Sequence, residues 1–522
     1  MKKRIESPTA DAPPSPGLRR YLYGTAAVTG AAIMIVEILG AKMLSPFLGT
    51  SHFVWTAQIA VTLVALACGY YLGGRLVDKS MRLGRLYGAI LAAGVYLAAT
   101  VAICEPVAYA FLSLNLAVGA LLTSTFLFFV PLCLLAMVGP FFIRVLTSSI
   151  STVGGNVGRL TAISTFGSFL GTLLIGYLLI PFLRNSWTMF LTALLLMLVS
   201  AGYFFIFRRS VKTAVATATT MALGVAVGWV GLRNEGLRAE NSIELYRANS
   251  NFGLLQVVQR KNSPMRLYLN DYLTQNTYDT NLHQSISMFT WMLHGLAQAY
   301  TPRIEDVLCI GLGVGVVPMQ FARDGARVDV VEINPAVVPL AERFFDLEPK
   351  RLHINIGDGR YYVNRCANKY DALILDAFLG DSCPSHLMTR EAFRAMGRVL
   401  KPQGTLVINT FGDFEPGQDF FAASLSKTLH SVFPSVRIHK GHYGNTLFVA
   451  SNNPDLAIVH PPDFDGVNSN CASDVREAFA TLRETHPGHG MVLTDDFNPV
   501  EFYDAKNRES LRRYLANNMH EM

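Results

Sequence analysis

Between Asp306 and Pro335 the chain reads DVLCIGLGVGVVPMQFARDGARVDVVEINP, an apolar run into Gly311, Gly313 and Gly315, a helix-like segment, and a second apolar run ending at Glu332. Glycines at this spacing allow a tight turn and close approach of a ligand to the backbone. An acid at the end of the second strand can accept both ribose hydroxyls, so the pattern is that of a nucleoside-binding βαβ unit. Glu332 follows Gly311 by 21 residues, near the spacing of about 20 that brings the second strand's end to the ribose. The third glycine comes one position early for GxGxxG, the dinucleotide form, and GxGxG is more typical of enzymes that use S-adenosylmethionine or its relatives. Asp358, beside Gly359 in INIGDGR, and Asp376 in YDALILDAF each follow a further apolar run. In an open α/β sheet those are strand ends, where ligands bind, and Asp358 is placed to accept a hydrogen bond from an adenine amino group. Helix capping competes for both residues, because Asp is a common N-cap.

These residues need a sheet to align them. Strands are expected near 306–310, 328–332, 352–356, 371–375, 404–410 and 445–450, with helices between most of them, which implies a parallel α/β sheet. Ahead of it, 254–259 and 265–269 flank the turn-forming Lys261-Asn262-Ser263-Pro264 and predict a small β-hairpin subdomain over 240–280. The spacing from Leu282 to Ala299 predicts a helix, and 281–522 forms the nucleoside-binding domain.

The N-terminal part has a different composition. Hydrophobic residues make up 51% of the chain and charged residues 16%, against about 25% charged in soluble domains. Segments near 21–43, 53–77, 84–104, 119–143, 160–182, 186–207 and 211–232 are long enough to cross a bilayer, which takes about 20 apolar residues. The expectation is a transmembrane domain of about seven helices over 21–232, after a tail at 1–20, in a multi-pass protein of the cell membrane. Val107–Val118 is too short to span comfortably and is expected at the interface, with an eighth helix as the alternative. Four basic clusters, beginning with Lys2, Lys3, Arg4, Arg19 and Arg20, fall on one side if the N-terminus is cytoplasmic, as the positive-inside rule prefers. Seven spans then put the C-terminal half outside, away from a cytosolic cofactor, and the sequence leaves that side open. Glu37, inside the first apolar run, is a functional candidate by position. Gly167 and Gly171 form a GxxxG packing step. The net charge of +6 is spent on orientation, and no basic stripe interleaved with aromatics points to nucleic acid. The seven cysteines have no CxxC spacing, which disfavours disulfides or zinc. The histidines form no HExxH, so no catalytic metal is expected.

The ordered motifs LYLND, CIGLGVG, VVEINP, INIGDGR, YDALILDAFLGDSCPSHLMTREAF and LTDDFNPVEF resemble the spermidine synthase (aminopropyltransferase) family. With GRLTAISTFGSFLGTLLIGYLLIP, the whole chain is similar to its membrane-fused members. The resemblance implies a multi-pass α-helical membrane domain followed by a Rossmann-like, methyltransferase-type α/β domain with the hairpin subdomain. It implies decarboxylated S-adenosylmethionine, or S-adenosylmethionine, as co-substrate, a small amine as acceptor, and Asp376 as the base that orients the amine's lone pair. The lipid bilayer is a further partner, and a homo-oligomer is left open. Asp381 and His386 in GDSCPSHL, with Tyr443, are candidate substrate contacts; loop capping and surface solvation compete at the first two. Asp495 or Asp496 is a further candidate for closing the site.

The chain also departs from the family. Val314 stands where the soluble synthases carry an Asp in GGGDGG, Leu379 replaces the second acid of DxxD, Phe252-Gly253 replaces Tyr-Gln, and His283-Gln284-Ser285 is matched to YHE. Burying a cation without a partner is costly, so these losses, with the retained GxGxG loop, favour methyl transfer as an alternative; a third reading is a non-catalytic polyamine or nucleoside transport or sensing protein, for which Glu37 is the discriminating residue.

Overall fold

The computed structural model describes residues 14–49, 51–147, 153–234, 241–378, 383–415, 417–441, 444–485, 488–503, 509 and 512–513. The chain divides into two compact units, a helical one up to residue 236 and an α/β one from residue 237.

Among the described residues of the first unit, seven helices are long and apolar enough to cross a membrane: α1 (Pro16–Leu48), α2 (His52–Lys79), α3 (Leu83–Leu112), α4 (Leu116–Leu146), α5 (Val153–Phe182), α6 (Asn185–Arg208) and α7 (Val211–Arg233). The interfacial segment expected at 107–118 is not a separate element. It is the end of α3, a turn, and the start of α4 capped by Asn115, whose side chain accepts from the Val118 amide. The GxxxG step packs as its spacing suggested: a Cβ at Gly167 would lie 2.1 Å from the Ala27 carbonyl oxygen, and one at Gly171 would lie 2.7 Å from Ala31 Cα. Only hydrogen lets α5 lie this close to α1. Glu37 is half-buried on α1 and has no ion pair among the described residues.

The second unit begins with a five-stranded antiparallel sheet, β1 (Ser242–Ser250), β2 (Gly253–Arg260), β3 (Met265–Asn270), β4 (Leu273–Asp279) and β5 (Gln284–Ser285), in that order. A hairpin underestimates it. β1 and β4 escaped notice because their burial is mixed, leaving polar residues such as Asn249 and Asn276 inside strands. The helix expected from Leu282 starts later, as α8 (Met288–Tyr300).

The main sheet contains β6 (Asp306–Ile310), β7 (Arg327–Glu332), β8 (His353–Ile356), β9 (Tyr370–Leu375), β10 (Leu400–Phe411), β11 (Ser435–Lys440) and β12 (Asn445–Ser451). Its order is β11-β12-β10-β9-β6-β7-β8. β12 runs antiparallel to both β10 and β11, so the sheet is mixed, not wholly parallel, and β11 adds a strand that hydropathy did not reveal. The crossovers carry α9 (Val316–Arg323), α10 (Val337–Phe344), α11 (Gly359–Arg365), α12 (Arg390–Val399) and α13 (Phe420–His430), and α14 (Ala472–Ala480) follows the sheet. Val307, Cys309, Ala372 and Ile374 enter one buried apolar cluster, whereas Leu308, Ile310, Leu373 and Leu375 enter another. Successive side chains thus point to opposite covered faces, and that is why these strands read as unbroken apolar runs.

Candidate functional site

Register brings the candidates together. Ile310 of β6 pairs with Val331 of β7 and Leu375 of β9, and Glu332 pairs with Ile356 of β8. Gly311 and Asp376, the next residues of β6 and β9, and Asp358, two beyond Ile356, therefore emerge at one edge beside Glu332. The ladder continues past the strand ends: the Gly311 amide donates to the Val331 carbonyl (2.9 Å), Asp376 to Ile310 (3.0 Å) and Gly357 to Glu332 (2.9 Å). The order reverses between β6 and β9, and such a switch point opens a crevice outside the carboxyl ends of the strands. A cavity of about 560 Å³ lies there, lined by Gly311, Gly313, Glu332, Asp358, Gly359, Asp376 and His386.

All three loop glycines have positive φ: Gly311 +98°, Gly313 +55° and Gly315 +86°. Gly315 does not line this cavity. It caps α9, and a Cβ on it would meet Leu347 Cδ1 at 2.5 Å. Gly359 has a packing role as well, since its Cβ would press on Ile310 Cγ2 at 2.4 Å.

Glu332 is buried, and its two oxygens accept from the Leu312 amide (2.9 Å) and the Asn334 amide (2.7 Å). It ties the glycine loop to β7. An ionised carboxylate has about four acceptor sites, so capacity remains for ribose hydroxyls. Burial raises its pKa, while the backbone donors pull the other way. Asp358 caps α11 by accepting from the Tyr361 amide (2.8 Å), and its other oxygen lies 2.8 Å from His386 Nε2. Capping and cavity lining thus coexist in one side chain. Asp376 keeps partial exposure, and Asn409 Nδ2 donates to its Oδ1 at 2.9 Å. The protein packed around this carboxyl pushes its pKa up to about 6.

Asp381 and Tyr443 lie outside the described residues. Asp495 accepts from Arg360 (2.9 Å) and from Thr389 (2.6 Å), and Arg360 also donates to the His386 carbonyl. It pins the loop that carries His386 and is not among the lining residues. His283, Gln284 and Ser285 border a separate cavity of about 250 Å³, where His283 bonds Asp346 at 2.6 Å. The main cavity is lined instead by Ile286 and Ser287 ahead of α8 and by Met288 at its start, so His283-Gln284-Ser285, matched to the family's YHE, does not line it. Val314, Ala377, Phe378 and Phe252 do line the main cavity and make its wall apolar. Asn409, Asn334 and Asp474 also line it and were missed. Asn409, a polar residue inside the apolar TLVINTF run, was a readable signal, whereas Asp474 had none. Among the described lining residues there are four carboxylates, Glu332, Asp358, Asp376 and Asp474, and no Lys or Arg. Among the described residues no group of His, Cys, Asp and Glu could hold a metal.

A family model described as "Spermine/spermidine synthase domain" matches residues 287–439. The chain is 42% identical over 118 residues to a polyamine aminopropyltransferase of Vibrio vulnificus, covering 22% of this chain and 40% of that protein. It is 31% identical over 200 residues to an N-terminal histidine N-methyltransferase of Emericella nidulans, covering 37% and 32%. The chain thus spans less than half the length of both relatives. The crystal structure of spermidine synthase from Thermotoga maritima aligns at 20% identity with a TM-score of 0.34, covering 47% of this chain and 80% of that one. The family-model match lies wholly within the C-terminal unit, which therefore carries, over residues 287–439, a region similar to the spermine/spermidine synthase domain.

Proposed function

We propose that the α/β unit is a transferase that moves an aminopropyl group from decarboxylated S-adenosylmethionine to an amine, with Asp376 as general base. The observation that carries this reading is the cavity at the switch point, with four carboxylates and no Lys or Arg among its described lining residues. Such a site favours a sulfonium and an ammonium over an anionic ligand. Gly311, Gly313, Glu332 and Asp358 would hold the nucleoside. Asp376 accepts the proton that leaves the ammonium, the freed nitrogen lone pair attacks the carbon next to sulfur, and the carbon–sulfur electron pair stays on a neutral thioether. The sulfonium is already a good leaving group, so positioning supplies much of the acceleration. We further propose that α1–α7 embed the chain in the cell membrane with a cytoplasmic N-terminus, as their apolar length and the basic clusters suggest.

Mass-spectrometric product analysis with each cofactor and a panel of amines tests the chemistry. An aminopropylated amine from the decarboxylated cofactor is expected. Absence of product with every amine and both cofactors would overturn the reading. Because Asp376 must be ionised to act, kcat/KM should rise with pH through about 6, where a free-enzyme group of that pKa titrates. A profile flat between pH 5 and 7 would remove Asp376 from the base role. Glu332→Gln should weaken binding of either cofactor by about 10–100-fold through lost charge-assisted hydrogen bonds, as read by calorimetry.

A second reading is methyl transfer from S-adenosylmethionine. It is favoured by Val314, which leaves an apolar wall at the glycine loop, and by the similarity to an N-methyltransferase. Methylated product with the carboxylated cofactor would decide for it.

A further inference from the structure

The second cavity, of about 250 Å³, shares only Val316 with the described lining of the first. Trp291, Met319 and Phe345 give it an apolar wall, and two carboxylates border it. Each uses one oxygen within the protein. Asp346 Oδ2 accepts from the Tyr278 hydroxyl (2.8 Å) and lies 2.6 Å from His283 Nδ1, and Asp324 Oδ2 accepts from Gln298 Nε2 (2.8 Å) and lies 2.6 Å from His294 Nε2. Neither Oδ1 has a partner among the described residues. At Asp346 burial acts upward on the pKa, but His283 and Tyr278 outweigh it and hold the carboxyl below its ordinary range, so this group is charged at neutral pH. Gln320 adds a third acceptor, since its Oε1 is buried with no donor among the described residues. Such an atom is costly unless water or a ligand donates to it. Arg323 supplies the opposite charge: it is exposed, lines the same cavity and makes no ion pair or hydrogen bond among the described residues. Burial is the main influence raising the Tyr278 pKa, and Asp346 and Arg323 both act on the same phenol, which places the carboxylate and the guanidinium around one ring. An unpaired cation near unpaired acceptor oxygens, beside an apolar wall, suits neither a simple anion nor a simple cation.

We propose that this cavity is a second ligand site, which binds a small zwitterion with an apolar side chain, the chemistry of an α-amino acid. Arg323 takes the carboxylate, whose two oxygens match the paired N–H groups of a guanidinium. Gln320 Oε1 and Asp346 Oδ1 accept from the ammonium, and the apolar side chain lies against Trp291, Met319 and Phe345. The inference is independent of the transfer reading, because neither Asp376 nor Gly311, Gly313, Glu332 or Asp358 lines this cavity.

The test is titration calorimetry of the full-length protein in detergent with L-leucine and L-phenylalanine, each compared with the amine that lacks its carboxylate (isopentylamine, phenethylamine) and the acid that lacks its ammonium (4-methylpentanoate, 3-phenylpropionate). At least one amino acid should bind, about 10-fold or more tighter than both of its analogues, the span of a lost hydrogen bond between charged groups. Arg323→Gln should weaken that amino acid by about 10-fold and leave the amine within about twofold, because the amine makes no contact with the guanidinium. Gln320→Leu should weaken the amino acid and the amine and spare the acid. Arg323 is exposed, so its variant keeps the fold and decides the case even where Gln320→Leu lowers stability. No binding of either amino acid to wild type, an amine analogue that binds as tightly as its amino acid, or an Arg323→Gln protein that binds the amino acid as wild type does would each overturn the proposal.

Discussion

Asp376→Asn is expected to lower kcat/KM by about 10²–10⁴-fold, the contribution of a positioned general base, while raising stability at alkaline pH. The amide keeps an oxygen to accept from Asn409 Nδ2 and keeps the shape of the site, so the loss is one of proton acceptance rather than of architecture. The stability change follows from the direction of the pKa shift. Burial lifts Asp376 from 3.8 to about 6, so the folded state prefers the protonated acid. The stability linked to that preference is complete below about pH 4 and is lost as pH rises through about 6. At pH 8 the wild type carries a charge that the fold disfavours, by about 3 kcal/mol at most for a shift of about two units. Partial exposure of the side chain brings the expected gain nearer to about 1 kcal/mol. Thermal melts of the two proteins should therefore separate at pH 8 and converge only near pH 4, as pH falls to the unfolded-state pKa. A variant that loses activity and also melts lower at pH 8 would mean that Asp376 is held by attractions the structure does not show.

Gly311→Ala is expected to have the largest effect on folding. Its φ is +98°, and a Cβ there would stand 2.1 Å from the carbonyl oxygen of Asp376 and 2.8 Å from its carbonyl carbon. Those atoms are backbone and cannot rotate away. To admit a methyl group, the ends of β6 and β9 must part, and with them the glycine loop and the proposed base. The expected cost is about 3 kcal/mol or more, combining overpacking with a disfavoured φ. Gly313→Ala is the internal comparison: φ is +55° and nothing lies within 4 Å of its Cβ, so only the backbone term of about 1–2 kcal/mol applies. Chemical denaturation of both variants, with cofactor binding measured in parallel, checks the ranking. Equal destabilisation would show that close approach of the two strand ends is not what requires glycine at 311.

Much of this site was readable before any coordinates. Glycine spacing, an acid at a strand end and unbroken apolar runs are local consequences of what a nucleoside-binding turn and a sheet covered on both faces require, so Gly311, Gly313, Glu332, Asp358 and Asp376 stood out by pattern. Seven long apolar stretches announced seven long helices for the same reason, since hydropathy is local. The five-stranded sheet was read as a hairpin because β1 and β4 carry polar residues on partly covered faces, and β11 was missed because pairing with β12, not its own composition, makes it a strand.

Tertiary structure alone decided three further matters. Gly315 and Gly359 serve packing against Leu347 and Ile310, contacts that no spacing rule contains. His386 meets Asp358, and Asp495 pins the loop that carries it, because chain segments separated by 28 and 135 residues converge there. Asp474 reaches the cavity from a helix beyond the last strand of the sheet. A residue's chemistry is written in its type, but which charges share one low-dielectric space depends on long-range packing, and only the fold sets that.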